Sequence, residues 1–203
     1  MKNYFRWLLV SLTAVFLSGC GYNEIQQLDE QVKASWSQAL NQYERRADLV
    51  PKLVSSVSAY MTQERTVLTN VTEARAKVGQ INLNINDLDD PALMQRFSQA
   101  QGELSSALSR LIAVSESYPA LKSDGVVRDL MTQIEGTENR IATERGRFVQ
   151  AVQAYNQYIR QFPAVITAKV LGYKVKENYG VERQSEIMRN PEVRFDMPAS
   201  GAN

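Results

Sequence analysis

The 203-residue chain contains no histidine and only one cysteine, Cys20. The lack of histidine excludes Cys–His catalysis and most transition-metal sites, and a single cysteine cannot build a disulfide framework. Glycine and proline are also scarce, with ten and six residues, so few positions interrupt regular structure. These absences point away from a metalloenzyme, a cysteine hydrolase and a disulfide-stapled domain, and towards a largely helical protein.

A charge excess of either sign is missing as well. The chain carries 23 basic and 22 acidic residues, and the loss of Lys2 and Arg6 with an amino-terminal signal would leave the remainder close to neutral. A protein without a strong positive field has little attraction for nucleic acid or acidic lipid. No glycine-rich loop follows a strand pattern, so neither a nucleic acid nor a nucleotide is expected as a partner.

The longest apolar run, from Trp7 to Leu17, follows the cationic residues Lys2 and Arg6. It is well short of the roughly 20 residues that a membrane-spanning helix needs. A positive start followed by a short apolar run is typical of a secretory signal. We therefore expect the rest of the chain to be exported.

Directly after this run stands Leu17-Ser18-Gly19-Cys20, which resembles the lipobox of bacterial lipoproteins. The resemblance implies a diacylglycerol on the Cys20 thiol, cleavage between Gly19 and Cys20, and acylation of the new amino terminus. The alternative is an ordinary signal peptide in which Cys20 is incidental. Because one acyl chain binds a membrane only loosely and two or three bind it durably, the lipobox predicts a stable membrane tether.

The residue after Cys20 bears on which membrane is used. Lipoprotein sorting implies that Asp at this position retains a lipoprotein at the inner membrane, and Gly21 stands here instead. In a cell with two membranes, this favours the outer membrane, with the protein facing the periplasm. The predicted organisation is a signal peptide at 1–19, a helical domain at 20–172 and an extended carboxyl-terminal segment at 173–203.

Three long stripes of apolar residues recur in steps of three and four, the spacing of an amphipathic helix. They run from Tyr22 to about Val78, with one missing turn at Glu64 and Arg65, from Leu93 to Val114, and from Val127 to Phe162. A short apolar helix, Ala164 to Leu171, follows and ends at Gly172. The sequence thus predicts an all-α fold, an elongated antiparallel up-down bundle of three long helices plus a short carboxyl-terminal helix.

Proline and aspartate mark the expected helix boundaries. Pro51 lies inside the first stripe and predicts a kink or break near Asp48 to Pro51, since proline removes a backbone donor. Asp90 followed by Pro91 predicts the start of the second long helix, and Ser123 or Asp124 is expected to cap the third. The polar stretch between Gly79 and Asp90 is predicted to be a loop.

Several segments, in order along nearly the whole chain after Cys20, resemble the LemA family. They are Gly21-Tyr22-Asn23, Arg46-Ala47-Asp48-Leu49-Val50-Pro51-Lys52-Leu53-Val54, Glu73-Ala74-Arg75, Glu116-Ser117-Tyr118-Pro119-Ala120-Leu121-Lys122, Glu135-Gly136-Thr137-Glu138-Asn139-Arg140-Ile141, Tyr155-Asn156, Phe162-Pro163 and Pro191-Glu192-Val193-Arg194-Phe195. The resemblance implies a membrane-anchored, extracytoplasmic helical bundle with no established catalytic activity. The chain departs from the family pattern in its lipobox, at Lys52 and at Arg147-Phe148-Val149.

Two of these segments place opposite charges near the middle of helices that are expected to pack together. Arg46, Asp48, Glu138 and Asn139 are the candidates for a buried polar cluster. Such a cluster is either a functional polar site or a set of ion pairs that fixes the register of the helices, because an internal charge is tolerated only when it is paired.

The segment that contains Tyr118, Pro119 and Leu121 also has two readings. Exposed ordered loops often carry binding sites, so it is a candidate partner loop. Alternatively, Pro119 stops one helix while Tyr118 and Leu121 plug the end of the bundle.

The sequence therefore predicts a membrane-tethered envelope lipoprotein, not an enzyme, whose bundle is a structural or protein-binding element. Its expected partners are the membrane and other envelope proteins, and no cofactor is expected beyond the lipid on Cys20. The alternative is a sensor or regulatory accessory that binds a small ligand or peptide between helices and modulates a membrane protease or a signalling pathway. That alternative needs a cavity, which a close-packed core does not leave.

Overall fold

The structure, a computed structural model, describes the backbone of residues 2–81, 88 and 90–177, and side chains from residue 21 onward within these ranges. The described part of the chain is all-helical, as predicted. Its helices are α1 (Lys2–Ser58), α2 (Arg65–Gly79), α3 (Pro91–Ser115), α4 (Pro119–Ser123), α5 (Gly125–Tyr158) and α6 (Ala164–Leu171).

The first predicted helix is in fact two helices. A turn at residues 59–64 separates α1 from α2, so the prediction of one helix from Tyr22 to Val78 is wrong. The turn closes through backbone hydrogen bonds from Met61 to Val57 and from Glu64 to Met61. Met61 itself is fully buried. The missing turn of the apolar stripe at Glu64 and Arg65 marks the true break, because α2 starts there and no longer continues the face of α1.

Of the kink or break predicted near Pro51, the break does not occur, because α1 is continuous through this residue. A proline cannot donate to the carbonyl four residues earlier, which leaves the oxygen of Ala47 without its helical partner. The side chain of Arg75 on α2 supplies a donor instead, with its Nε 3.1 Å from the Ala47 oxygen. The helix therefore continues through the proline, and the same hydrogen bond joins α2 to α1.

Side-chain contacts between helices give the direction of each one. The Trp36 ring contacts Phe148 of α5, with ring centroids 5.0 Å apart, and Arg46, farther along α1, pairs with Glu138, so α1 and α5 are antiparallel. Trp36 also contacts Phe97 of α3, with centroids 5.9 Å apart, and Arg46 contacts Gln101, so α1 and α3 run in the same direction.

The short helix α2 runs back between them in the opposite direction. Its Lys77 pairs with Glu103 of α3 at 2.7 Å, and Glu64, just before α2, accepts a hydrogen bond from Tyr118, just after α3. The helices thus follow the order up, down, up and down through α1, α2, α3 and α5. The predicted arrangement of three long helices is not confirmed, because α2 is a separate helix and reverses the chain once more.

The interior divides into two apolar clusters along the bundle. The lower cluster, nearer residue 21, is rich in aromatic residues, and the upper one is almost entirely aliphatic. Lower-cluster residues include Ile25, Val32, Trp36, Tyr43, Phe97, Ile141, Phe148, Val152 and Tyr155. Upper-cluster residues include Leu53, Val57, Met61, Val71, Leu104, Leu108, Leu111, Leu121 and Ile134. Arg46 lies at the boundary between the two.

The helix starts follow the aspartate signals. The carboxylate of Asp90 accepts hydrogen bonds from the backbone nitrogens of Ala92 and Leu93, at 3.0 and 3.2 Å, and Pro91 occupies the first turn of α3. Asp124, not Ser123, caps α5. Both caps satisfy backbone donors that have no partner inside the helix.

The carboxyl-terminal part of the described chain packs against the lower end of α1. Gly172, with φ of 77°, ends α6 as predicted, in the left-handed conformation that glycine adopts readily. Beyond it, Asn156 donates to the carbonyl of Lys176 at 2.7 Å and accepts from its N–H at 2.8 Å. This pair fastens residues 173–177 to α5.

Candidate functional site

The buried side chain of Arg46 is the centre of the polar layer between the two apolar clusters. It is 1 % exposed. Its Nη1 donates to the Glu138 carboxylate and to Ser105 Oγ, the latter at 2.6 Å, and its Nη2 donates to Gln101 Oε1. Tyr43 lies beside the guanidinium, with the ring centroid 5.5 Å from Cζ. One cation on α1 therefore contacts both α3 and α5.

The structure brings together only part of the predicted cluster. Arg46 pairs with Glu138, but Asp48 and Asn139 are exposed and lie outside the layer. The sequence analysis missed Gln101 and Ser105. A signal for Gln101 was present, because it lies four residues after Phe97 and three before Leu104, on the apolar stripe of α3. A polar residue on that stripe indicates a buried partner.

The polar layer is an ion pair whose groups mostly bind one another and are only partly open to solvent. The Ser105 hydroxyl lies 3.2 and 3.4 Å from the two Glu138 oxygens and is also engaged by Arg46. The carboxylate is 34 % exposed, so water reaches it from one side. Among the described residues, Arg46 Nε and Gln101 Nε2 are buried without a hydrogen-bond partner. The arrangement fixes the relative heights of α1, α3 and α5.

A groove between α3 and α5 opens beside this layer. It has a volume of about 490 Å³ and is lined by small and polar residues together with a few aliphatic ones. Its lining includes Ser105, Leu108, Ser109, Ile134, Glu138 and Asn139. Glu138 and Asn139 thus border a common space in this groove.

The predicted partner loop lies at the far tip of the bundle. Leu121 of α4 is 1 % exposed and packs into the upper cluster, Tyr118 is half-buried, and Pro119 is exposed at the start of α4. Burial, and secondarily the neighbouring Glu64 carboxylate, raises the pKa of Tyr118. These positions fit a plug that covers the end of the apolar interior.

A second tip contact joins the two turns. Tyr60, in the turn between α1 and α2, donates to Asp124 Oδ2 at 2.8 Å. The hydrogen bond from Tyr60, followed by that from the Val127 N–H, lowers the pKa of Asp124, and the same carboxylate raises the pKa of Tyr60. The carboxylate thus caps α5 and holds the neighbouring turn.

A larger groove, of about 600 Å³, lies at the lower end beside the carboxyl-terminal segment. Burial raises the pKa of Asp29, but hydrogen bonds from Lys33 and Lys176 outweigh it and leave that pKa below its usual value. Asp29 is 2.8 Å from Lys33 and 3.1 Å from Lys176. The Lys176 ammonium also lies 5.4 Å from the centroid of the Tyr155 ring. Two of the cations at this groove, Lys33 and Lys176, are therefore already engaged within the chain.

Comparison with known proteins gives the family. The model of the LemA family matches residues 35–195, well over half of the chain. The chain belongs to the LemA family. Its similar relatives include Magnetosome protein MamQ of Magnetospirillum gryphiswaldense and Magnetosome protein MamQ 2 of Paramagnetospirillum magneticum, each 26 % identical over 174 residues. Each alignment covers 78 % of this chain, and the chain spans 64 % of the length of these curated relatives.

Some of the segments that resemble LemA proteins contain residues that join elements of the bundle. Arg75 donates to the Ala47 carbonyl, next to Arg46 of the polar layer. Asn156 fastens the carboxyl-terminal segment, and Leu121 lies in the upper cluster. In this LemA-family protein, these three residues of the family-like segments are thus contacts between elements of the bundle.

Several predictions fall outside what the structure describes. The side chains of Leu17, Ser18, Gly19 and Cys20 are not described, although their backbone belongs to α1. The LemA-like segment 191–195 also lies outside the described residues, as do 82–87 and 89 of the predicted loop. Tyr173, the first residue of the predicted carboxyl-terminal segment, packs against the lower cluster and contacts Gln26.

No helix in the described part of the LemA-family chain combines the length and apolar character needed to cross a membrane. No group of three or more acidic, cysteine or histidine residues in the described ranges is arranged to hold a metal ion.

Proposed function

We propose that the protein is a membrane-tethered envelope lipoprotein whose helical bundle is a structural or protein-binding element. The proposal is based on the polar layer, in which the buried charge of Arg46 joins α1, α3 and α5. A catalytic centre needs titratable groups free to meet a substrate. Here the cation, the hydroxyl and the carboxylate bind one another, which supports a role of the layer in helix register rather than in catalysis.

The lipobox supports the membrane tether, and the length of α1 indicates how far the bundle extends from it. Lipid on Cys20 attaches the chain at its lower end, and α1 extends about 57 Å from Gly21 to Ser58 at 1.5 Å per residue. The bundle is then an elongated up-down rod with its tip away from the bilayer. Gly21 favours the outer membrane, with the rod in the periplasm, where the host has two membranes. The proposed partners are other envelope proteins that meet the rod.

Mass spectrometry of the mature amino terminus tests the tether. We expect a chain that begins at an acylated Cys20 and fractionates with membranes, and a Cys20→Ser variant that keeps residues 1–19. An unmodified amino terminus in the soluble fraction of wild-type cells would refute the lipid tether.

Crosslinking at the tip tests the binding role. A photocrosslinking residue at Pro119, which is exposed, should capture a discrete envelope protein in intact cells. The matched control is the same residue at Arg96, which is exposed near the start of α3, at the other end of that helix from the tip. If neither position captures an envelope protein, the protein-binding role fails.

The groove beside Glu138 favours a second candidate function, a sensor that binds a small ligand or peptide between α3 and α5. Ser109 lines this groove, is exposed and does not contact Arg46. A Ser109→Trp substitution would fill the space while leaving the polar layer intact. Loss of tip crosslinking in this variant, with unchanged stability, would support a sensor; unchanged crosslinking would argue against it.

A further inference from the structure

The short helix α6 turns its large apolar side chains outward. Its buried residues are the small Ala164 and Ala168, each 3 % exposed. Ile166, Val170 and Leu171 are 56 %, 78 % and 52 % exposed. A helix that packs only against its own bundle buries its large apolar residues and exposes its small or polar ones. The reversed pattern of α6 indicates that a second apolar environment covers its outer face.

Exposed apolar residues also flank α6 along the chain. Phe162, just before the helix, is 78 % exposed, and Val175, just after it, is 48 % exposed. Tyr22 at the start of the mature chain is 44 % exposed. The other exposed large apolar side chains in the described part of the chain, Tyr60 and Val126, lie at the opposite end of the bundle. Clusters of this kind mark interaction surfaces.

The position of this face identifies what covers it. A Cβ added to Gly21 would lie 3.4 Å from Thr167 Oγ1 and 3.7 Å from Ala164 Cα, so α6 packs directly against the residue that follows Cys20. Lipid on Cys20, or the apolar run before it, brings this end of the bundle to the bilayer surface. Lys169 and Lys174 are exposed beside the apolar face, where cations meet lipid headgroups.

We infer that α6 lies in the interfacial region of the bilayer, with Phe162, Ile166 and Val170 inserted among the upper acyl chains. This inference rests on the tether proposed above. It adds a second attachment beside the lipid on Cys20, and two attachments restrain the tilt of the rod where one leaves it free to swing.

Site-specific fluorescence in native membranes tests this contact. The full chain carries an environment-sensitive thiol label at Ile166→Cys, and the matched control carries it at Val126→Cys, which is equally exposed at the far end. Spin-labelled lipids with a shallow nitroxide quench the label from the bilayer, and dithionite reduces it from the water. Wild-type membranes, treated in parallel, report whether the Cys20 thiol is free.

We expect lipid quenching at residue 166 and reduction by dithionite at least several-fold slower than at residue 126, with no lipid quenching at residue 126. Equal reduction rates at the two positions would overturn the inference. Protection from dithionite without lipid quenching would also overturn it, because a protein partner then covers the face. Labelling of Cys20 in wild-type membranes would refute the lipid tether, and quenching at residue 166 above that background would still support the contact of α6.

Discussion

The Nε of Arg75 lies 3.1 Å from the carbonyl oxygen of Ala47, the acceptor that loses its helical donor because Pro51 has no N–H. A side chain from the next helix thus replaces a missing backbone hydrogen bond. The same contact ties α2 to α1 at the level of the polar layer. Proline is tolerated here because another part of the chain completes the helix.

The replacement predicts a coupling between Arg75 and Pro51. Arg75→Met should lower the free energy of unfolding by about 0.5–1.5 kcal/mol, the usual value of one hydrogen bond. In a Pro51→Ala background the restored N–H donates to the Ala47 carbonyl, so Arg75→Met should hardly change the free energy of unfolding. Urea denaturation of the four proteins measures the coupling. Equal costs in the two backgrounds would show that Arg75 does not compensate for the proline.

The polar layer predicts that the buried charge of Arg46 is tolerated only while the Glu138 carboxylate pairs with it. Glu138→Leu leaves a buried cation with only neutral partners. It should lower the free energy of unfolding by up to about 3 kcal/mol. This is the lower end of the range for a broken buried pair, because the Glu138 side chain is 34 % exposed. Glu135→Leu, at an exposed position that borders the same groove but does not pair with Arg46, should change stability by less than about 0.5 kcal/mol.

The double variant Arg46→Met and Glu138→Leu decides whether the pair serves only register. The double variant should recover at least half of the free energy of unfolding that Glu138→Leu alone loses, because neither charge is then buried without its partner. A Glu138→Leu protein that stays folded with unchanged register but loses tip crosslinking would instead show that the layer is functional.

The Tyr60–Asp124 contact predicts a pH dependence at the tip. The pKa of Asp124 is lowered in the folded protein, so its contribution to stability is complete above the ordinary carboxyl pKa of about 4 and is lost as pH falls through the lowered value. Asp124→Asn keeps an N-cap but cannot titrate, and should flatten the acid limb of a plot of melting temperature against pH. Tyr60→Phe should move that limb to higher pH. An unchanged profile in both variants would contradict this assignment.

The Asn156–Lys176 pair predicts how firmly the carboxyl-terminal segment is held. Asn156→Ala removes both hydrogen bonds and should speed tryptic cleavage at Lys174 and Lys176 by roughly tenfold or more, since cleavage follows the opening equilibrium. Gln157→Ala, at an exposed neighbouring position, should leave the rate unchanged. Similar rates in the two variants would mean that other contacts hold the segment.

Apolar periodicity and aspartate caps were sufficient to predict most helices. The starts at Asp90 and Asp124 and the end at Gly172 depend on local chemistry, which the sequence displays directly. The break in the first helix was misplaced because the rule for Pro51 is also local. This rule does not take account of the hydrogen-bond donor that Arg75 provides to Ala47, 28 residues earlier in the chain. Only the tertiary structure reveals that donor.

The candidate polar site was predicted in part for a similar reason. Arg46 and Glu138 form the expected pair, but Asp48 and Asn139 do not join it. Each residue along a helix turns the side chain by about 100°, so Asn139 points away from the position of Glu138 and Asp48 lies nearly opposite Arg46. Helical phase therefore decides which members of a polar motif enter the interior.

The length of α1 has an electrostatic consequence for a protein tethered at its base. From Gly21 to Ser58 the helix covers about 57 Å, while charges in physiological salt are screened over about 8 Å. Several screening lengths thus separate the turns that contain Tyr60 and Tyr118 from the headgroups. The surface potential of the lipid does not extend to them, and an approaching molecule is steered there by charges at the tip itself, among them Glu64, Arg65, Lys122 and Asp124.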